Sequence, residues 1–195
     1  MNYWDNRYKN GGTSGQGSIG ELRSWKWNII KKYNGIRESV IDIGCGDMSF
    51  WENNKLPLNY IGIDFSDVII QKNIKKYPKS QFYTKSSAST PLHICADTVI
   101  CFDMLFHIMN DSDYIQTLQN ICTYSNNQIF IYTWIINPLP KKWIFFETLS
   151  DTYEKYYNPI IILKIILNNG FILKNLETNN IDKYGAMFIF EKECS

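Results

Sequence analysis

Three short runs gather the residues of this 195-residue chain whose types and spacing suit chemistry. The first is Asp42-Ile43-Gly44-Cys45-Gly46-Asp47, where an apolar stretch ends in glycines and acids. Lacking Cβ atoms, Gly44 and Gly46 let the backbone come close to a ligand. Asp42 would stand near the mouth of such a site, where a carboxylate accepts hydrogen bonds from an ammonium group, directly or through water. The second run, Tyr60-Ile61-Gly62-Ile63-Asp64, ends in an acid 22 residues beyond Asp42. A dinucleotide fold places the acid that takes its ribose hydroxyls at about that spacing. The third run is Phe102-Asp103-Met104-Leu105-Phe106-His107. An imidazole with an unperturbed pKa of ~6.5 suits proton transfer near neutrality. His107 also sits in the apolar stretch Leu105 to Met109, where a packing role fits equally well.

These runs need elements to hold them. Ser39 to Ile43, Tyr60 to Asp64, Gln81 to Thr84, Thr98 to Phe102 and Gln128 to Trp134 read as strands. Glu21 to Tyr33, Ser66 to Lys76 and Ser112 to Tyr124 read as helices between or before them, with Pro78 stopping the second and Asp111 or Ser112 capping the third. Such alternation indicates an α/β domain with a mostly parallel sheet. In the last third, Asn158 to Asn168 reads as an apolar helix stopped by Asn169-Gly170. Phe171 to Thr178 and Ala186 to Lys192 then suit a hairpin at one sheet edge. Near the start, Gly11 to Gly20 holds five glycines in ten residues and reads as a mobile loop or a plain connector.

In an open α/β sheet a ligand binds at the carboxyl ends of the strands. A nicotinamide cofactor wants Gly-x-Gly-x-x-Gly beside its pyrophosphate. Here Ser49 takes the third glycine's place and Asp47 brings a like charge, so a cofactor without phosphate fits better. Val40 to Asp47 resembles motif I of the class I S-adenosylmethionine-dependent methyltransferases, and Tyr60 to Ser66 resembles their motif II. Ala96 to Ile108 is similar to their fourth-strand segment, and Asn169-Gly170-Phe171 to their last helix-to-strand turn. The resemblance implies a seven-stranded Rossmann-like sheet, mostly parallel with an antiparallel C-terminal hairpin and helices on both faces. It implies that Gly44, Cys45 and Gly46 pass along the methionine part of S-adenosylmethionine, and Asp42 is read as the carboxylate near its ammonium group. Asp64 would hold the ribose, with Phe65 on the adenine and Ser66 beside it. Phe102, Asp103 and Met104 would flank the sulfonium, and His107 would be the base. Ser87, followed by Ala88, stands where the family has an acid for the adenine amino group. Tyr3-Trp4-Asp5-Asn6-Arg7-Tyr8 resembles a "W-D-x-R-Y" opening that forms a lid in many such enzymes, so Arg7 or Tyr8 would meet the cofactor or the acceptor. A surface helix packed by Trp4 and Tyr8 is the plain alternative.

The expected organisation is one domain over 1–195, with a lid segment at 1–35 and a substrate-side insertion at 137–157. Trp143 and Tyr153 in that insertion are candidate acceptor contacts, and Lys141-Lys142 would suit an anionic acceptor. A formal net charge of +1 gives no electrostatic ground for a nucleic-acid partner. Five cysteines without a Cys-x-x-Cys pair, and two histidines, argue against a zinc site or a disulfide framework. No apolar run is long enough to span a bilayer, and the first residues lack a signal peptide's apolar stretch. The chain reads as a soluble, cytoplasmic, metal-free enzyme acting on a small-molecule acceptor, a sugar or natural-product-like nucleophile. A nicotinamide-dependent oxidoreductase and a non-catalytic S-adenosylmethionine-binding relative are the rivals.

Overall fold

The computed structural model describes residues 3–138 and 153–193. Trp143, Lys141, Lys142 and most of the expected insertion lie outside those residues. Strands β1 (Ser39–Ile43), β2 (Asn59–Asp64), β3 (Gln81–Thr84), β4 (Ala96–Phe102) and β5 (Ser125–Trp134) pair in parallel. Strands β6 (Phe171–Thr178) and β7 (Gly185–Lys192) complete the seven-stranded sheet in the order β3-β2-β1-β4-β5-β7-β6. β7 runs antiparallel to both neighbours, so the expected hairpin closes one edge with β6 outermost.

Helices cover both faces because the strands are apolar on both sides. Against one face, Ile41, Ile63, Val99, Ile131 and Phe188 meet helices α4 (Asp111–Tyr124) and α5 (Ile160–Asn168). Against the other, Val40, Tyr60, Ile100, Phe130 and Ile189 meet α2 (Gly20–Lys32) and α3 (Asp67–Lys76). Each fully buried Ile or Phe contributes roughly 1.5–3 kcal/mol relative to exposure. Helix α1 (Tyr3–Lys9) packs on α3, tied by Ser66 Oγ donating to Asp5 Oδ1 at 2.6 Å and Lys72 Nζ donating to the Tyr8 carbonyl at 2.8 Å.

The α4 cap and the glycine-rich loop differ from the sequence reading, which assigned no element to the β1–β2 crossover. The crossover from β1 to β2 contains a 3-10 turn at Ser49–Trp51 and no α-helix. Left-handed residues Met48 (φ 65°) and Asn53 (φ 63°) turn the chain there. The face that a crossover helix would cover is filled by Trp27 of α2, stacked on Phe50 at 4.9 Å, with Trp51 edge-on to both. Helix α4 is capped by Asn110, whose Oδ1 accepts from the N–H groups of Ser112 (2.8 Å) and Asp113 (3.3 Å), because Asp111 already lies inside the helix. The glycine-rich loop is anchored through Ser14, Gly17 and a 3-10 turn at Gln16–Ser18.

Candidate active site

The site grows from the strand ends. β1 is flanked by β2 and β4, and successive connections leave it in opposite directions, so a crevice opens beyond its carboxyl end. The chain leaves β1 with Gly44 N and Cys45 N both donating to the Ile63 carbonyl, at 2.8 and 3.2 Å. Gly44 (φ 77°) and Gly46 (φ 52°) then take left-handed conformations that favour glycine. A Cβ on Gly44 would lie 2.6 Å from Met104 Cγ, and one on Gly46 would lie 2.1 Å from Ser14 Oγ. Both close approaches therefore depend on glycine.

A cavity of about 260 Å³ sits on this loop. Gly44, Gly46, Asp64 and Phe65 form one side of it. Ser87, Ala88, Phe102, Asp103, Met104 and His107 form the other, and Tyr8 and Tyr153 also reach it. Residues as far apart in sequence as Tyr8 and Tyr153 thus meet at one place. Asp64 is half-buried, with Oδ2 accepting from Gly46 N at 3.0 Å and Oδ1 from Ser66 N at 2.9 Å. Burial pushes its carboxyl up to about 6 against the opposing pull of the Ser66, Gly46 and Phe65 N–H groups.

Three of the expected cofactor residues, Asp42, Cys45 and Ser66, do not line the cavity. Asp42 is 5% exposed and lies behind the loop, where Oδ2 accepts from Trp51 Nε1 and Tyr60 Oη, both at 2.8 Å. Burial raises its carboxyl to about 6. The Cys45 side chain is buried against Gly62, and burial pushes its thiol up, which makes it an unreactive packing group. Ser66 is fully buried and caps α3, with Oγ accepting from Ile69 N.

Asp103 and His107 stand between this cavity and a second one of about 750 Å³, within the usual span for small-molecule sites. Trp4, Ser14 and Tyr153 also line both. Asp103 has a left-handed backbone (φ 55°), fixed by its N–H donating to the Tyr132 carbonyl at 3.1 Å. Its carboxylate is paired with Lys26, which also donates to the Gly17 carbonyl at 2.9 Å and lies 4.0 Å from the centre of the Tyr132 ring. Lys26 is fully buried, and desolvation pulls its pKa down while Asp103 opposes the shift. His107 Nδ1 lies 2.6 Å from the Tyr153 carbonyl, which can only accept, so Nδ1 carries the proton and Nε2 the lone pair. Burial lowers the pKa of this imidazole despite the Tyr153 carbonyl and the nearby Glu154 and Asp103. Arg7 lines the second cavity, where Nε donates to the Thr13 carbonyl at 2.6 Å and the guanidinium lies 5.6 Å from the Trp4 ring centre.

Sequence reasoning missed Ser14, Lys26 and Asp113. Ser14 Oγ donates to Asp47 Oδ1 and accepts from Asp47 N, both at 2.8 Å, pinning the N-terminal loop across the first cavity. Burial works against the Asp47 carboxylate, but bonds from Ser49 and Ser14 hold it below the usual range. Lys26 had a sequence signal, since it falls four residues after Leu22 and three before Ile29, on the apolar face of α2. Asp113, in the first turn of α4, lines the first cavity. Among the described residues no group of three or more His, Cys, Asp or Glu could hold a metal ion, and no helix is long and apolar enough to cross a membrane.

Known proteins share this architecture. Residues 41–124 match the family model of a methyltransferase domain. Magnesium protoporphyrin IX methyltransferase from Synechocystis, solved with bound S-adenosylmethionine, is 18% identical with a TM-score of 0.63, over 99% of this chain and 85% of that one. The N-methyltransferase NodS from Bradyrhizobium japonicum, solved with S-adenosylhomocysteine, is 10% identical with a TM-score of 0.65, over 88% and 87%. The [4+2]-cyclase SpnF is 10% identical with a TM-score of 0.68, over 98% and 92%. No curated protein matches the chain. Over residues 41–124 the chain thus matches a methyltransferase domain, and it shares its fold with enzymes solved with S-adenosylmethionine or S-adenosylhomocysteine bound.

Proposed function

We propose that this enzyme binds S-adenosylmethionine in the cavity on the Gly44–Gly46 loop and methylates a small-molecule acceptor held in the adjoining larger cavity. The observation that carries the reading is the shared lining: Asp64 and Phe65 on one side, Phe102, Asp103 and Met104 on the other, with Asp103 and His107 common to both cavities. The donor set fits the cofactor. Asp64 accepts the two ribose hydroxyls, and Phe65, 40% exposed, offers its ring to the adenine. Tyr8 and Ser18 bring hydroxyl groups to the same cavity for the amino-acid part, while Ser14, engaged by Asp47, holds the loop beside them. The Ser87 hydroxyl is engaged with Thr117 Oγ1 at 2.9 Å, so Asp113 is the carboxylate that accepts from the adenine amino group.

When bound, the cofactor supplies a methyl carbon already activated by its sulfonium. The protein aligns the acceptor and excludes water. Trp4 and Tyr153 close the boundary between the cavities, and Tyr3 stacks on Tyr153 at 5.5 Å to hold it there. His107 Nε2 takes the acceptor's proton, its tautomer set by the Tyr153 carbonyl. Arg7 and Tyr153 contact the acceptor, and Tyr8 serves the cofactor side. Titration calorimetry with S-adenosylhomocysteine tests the assignment. Asp64→Ala should weaken binding by roughly 1–3 kcal/mol, the scale for losing hydrogen bonds to a charged group. Wild-type affinity in that variant would remove Asp64 from the site.

A further inference from the structure

The acceptor cavity has a chemical character of its own. Among the described residues that line it, the carboxylates of Glu21, Asp103, Glu154 and Asp182 stand against the single guanidinium of Arg7. Lys26 offsets Asp103, and Arg7 is already held by the Thr13 carbonyl and Tyr3 Oη. Asp182 is fixed in place by Tyr132 Oη donating to Oδ2 at 2.8 Å and Tyr184 N donating to Oδ1 at 3.0 Å. The walls are aromatic: Trp134 stacks on Phe106 with centroids 4.1 Å apart, and Trp4 meets His107 edge-on at 4.9 Å. Carboxylates at a cavity walled by aromatic rings attract a cation twice over, by charge and by the ring quadrupole. The same wall repels a carboxylate or phosphate ester.

We infer that the acceptor is a small amine that enters as its ammonium form, carrying an aromatic or apolar body, and that its nitrogen is the methylated atom. The inference rests on the proposed placement of the cofactor in the neighbouring cavity. The ammonium first gives one proton to His107 Nε2, which passes it to solvent. The nitrogen lone pair then forms the new C–N bond while the methyl–sulfur bond breaks and its electron pair returns to sulfur. The products are a methylated ammonium and a neutral thioether, so charge and atoms balance.

The test is calorimetry on the protein saturated with S-adenosylhomocysteine, using near-isosteric probes of each charge: 2-phenylethylamine, 2-phenylethanol and phenylacetate. The amine should bind about tenfold tighter than the alcohol, the scale of a partly desolvated cation on aromatic and acidic walls, with phenylacetate weakest. The surface variants Glu154→Gln and Glu21→Gln should each narrow the preference for the amine without changing S-adenosylhomocysteine affinity. Equal or tighter binding of the alcohol or the acid overturns the inference, as does binding of none of the three. The initial titration with S-adenosylhomocysteine separates the two failures. If that step gives no binding, the cofactor placement fails and the inference falls with it; if it binds and the amine is not preferred, only the inference fails.

Discussion

Asp42 and Asp64 are both strand-end acids raised to about 6 by burial, yet their surroundings give them different work. Asp64 lines the cavity, whereas Asp42 is used up by Trp51 and Tyr60. Asp42 therefore acts on stability. Its folded-state pKa lies above the unfolded value, so the native state holds the proton more tightly. That contribution is complete below about pH 4 and is lost as pH rises through about 6, by at most about 3 kcal/mol at ~1.4 kcal/mol per unit. Asp42→Asn should flatten the pH dependence of denaturant midpoints across that window; a slope equal to wild type would contradict it. At His107 the expectation is kinetic. His107→Gln should lower kcat by about 10²–10⁴, the range for a general base, while S-adenosylhomocysteine affinity changes little. A wild-type kcat would return His107 to the packing role its apolar run also allows. The sequence made both acids visible but not their division, because the partners of Asp42 are a tryptophan in the crossover and a tyrosine on the next strand. Nothing in residue spacing declares that pair.

At the scale of elements, the strands were the legible part. Their apolar runs are short, bounded by turn residues and followed by acids or glycines, and β1, β3 and β6 fall at the expected bounds. The β1–β2 crossover was less legible, because α2, from before β1, covers the face a crossover helix would normally take. The N-terminal segment is the element with most bearing on function. α1 is tied to α3, and the glycine-rich loop is pinned by Ser14 on Asp47 and by Gly17 on Lys26. Loss of one anchor should loosen the loop without unfolding the sheet. Ser14→Ala is expected to speed limited proteolysis between residues 9 and 20, with S-adenosylhomocysteine slowing it again. Cleavage at the wild-type rate would show that the Ser14–Asp47 contact does not hold the loop.

For the whole molecule, the order β3-β2-β1-β4-β5-β7-β6 places one crevice beside β1, and every strand-end residue of the site faces it from there. The alternation of strands and helices makes that architecture readable from sequence. The larger cavity is not readable in the same way. It draws on residues 3–22, 103–107, 134, 153–154 and 181–182, segments brought together only by the fold. Fold alone leaves the chemistry open, as the likeness to a [4+2]-cyclase illustrates. The proposed function divides the work between two adjoining cavities. A crystal structure with S-adenosylhomocysteine tests it most directly. The ribose hydroxyls should lie on the Asp64 carboxylate, the adenine against Phe65 and the sulfur on the side of Asp103 and His107. Density for the ligand in the larger cavity, or a ribose away from Asp64, would contradict it.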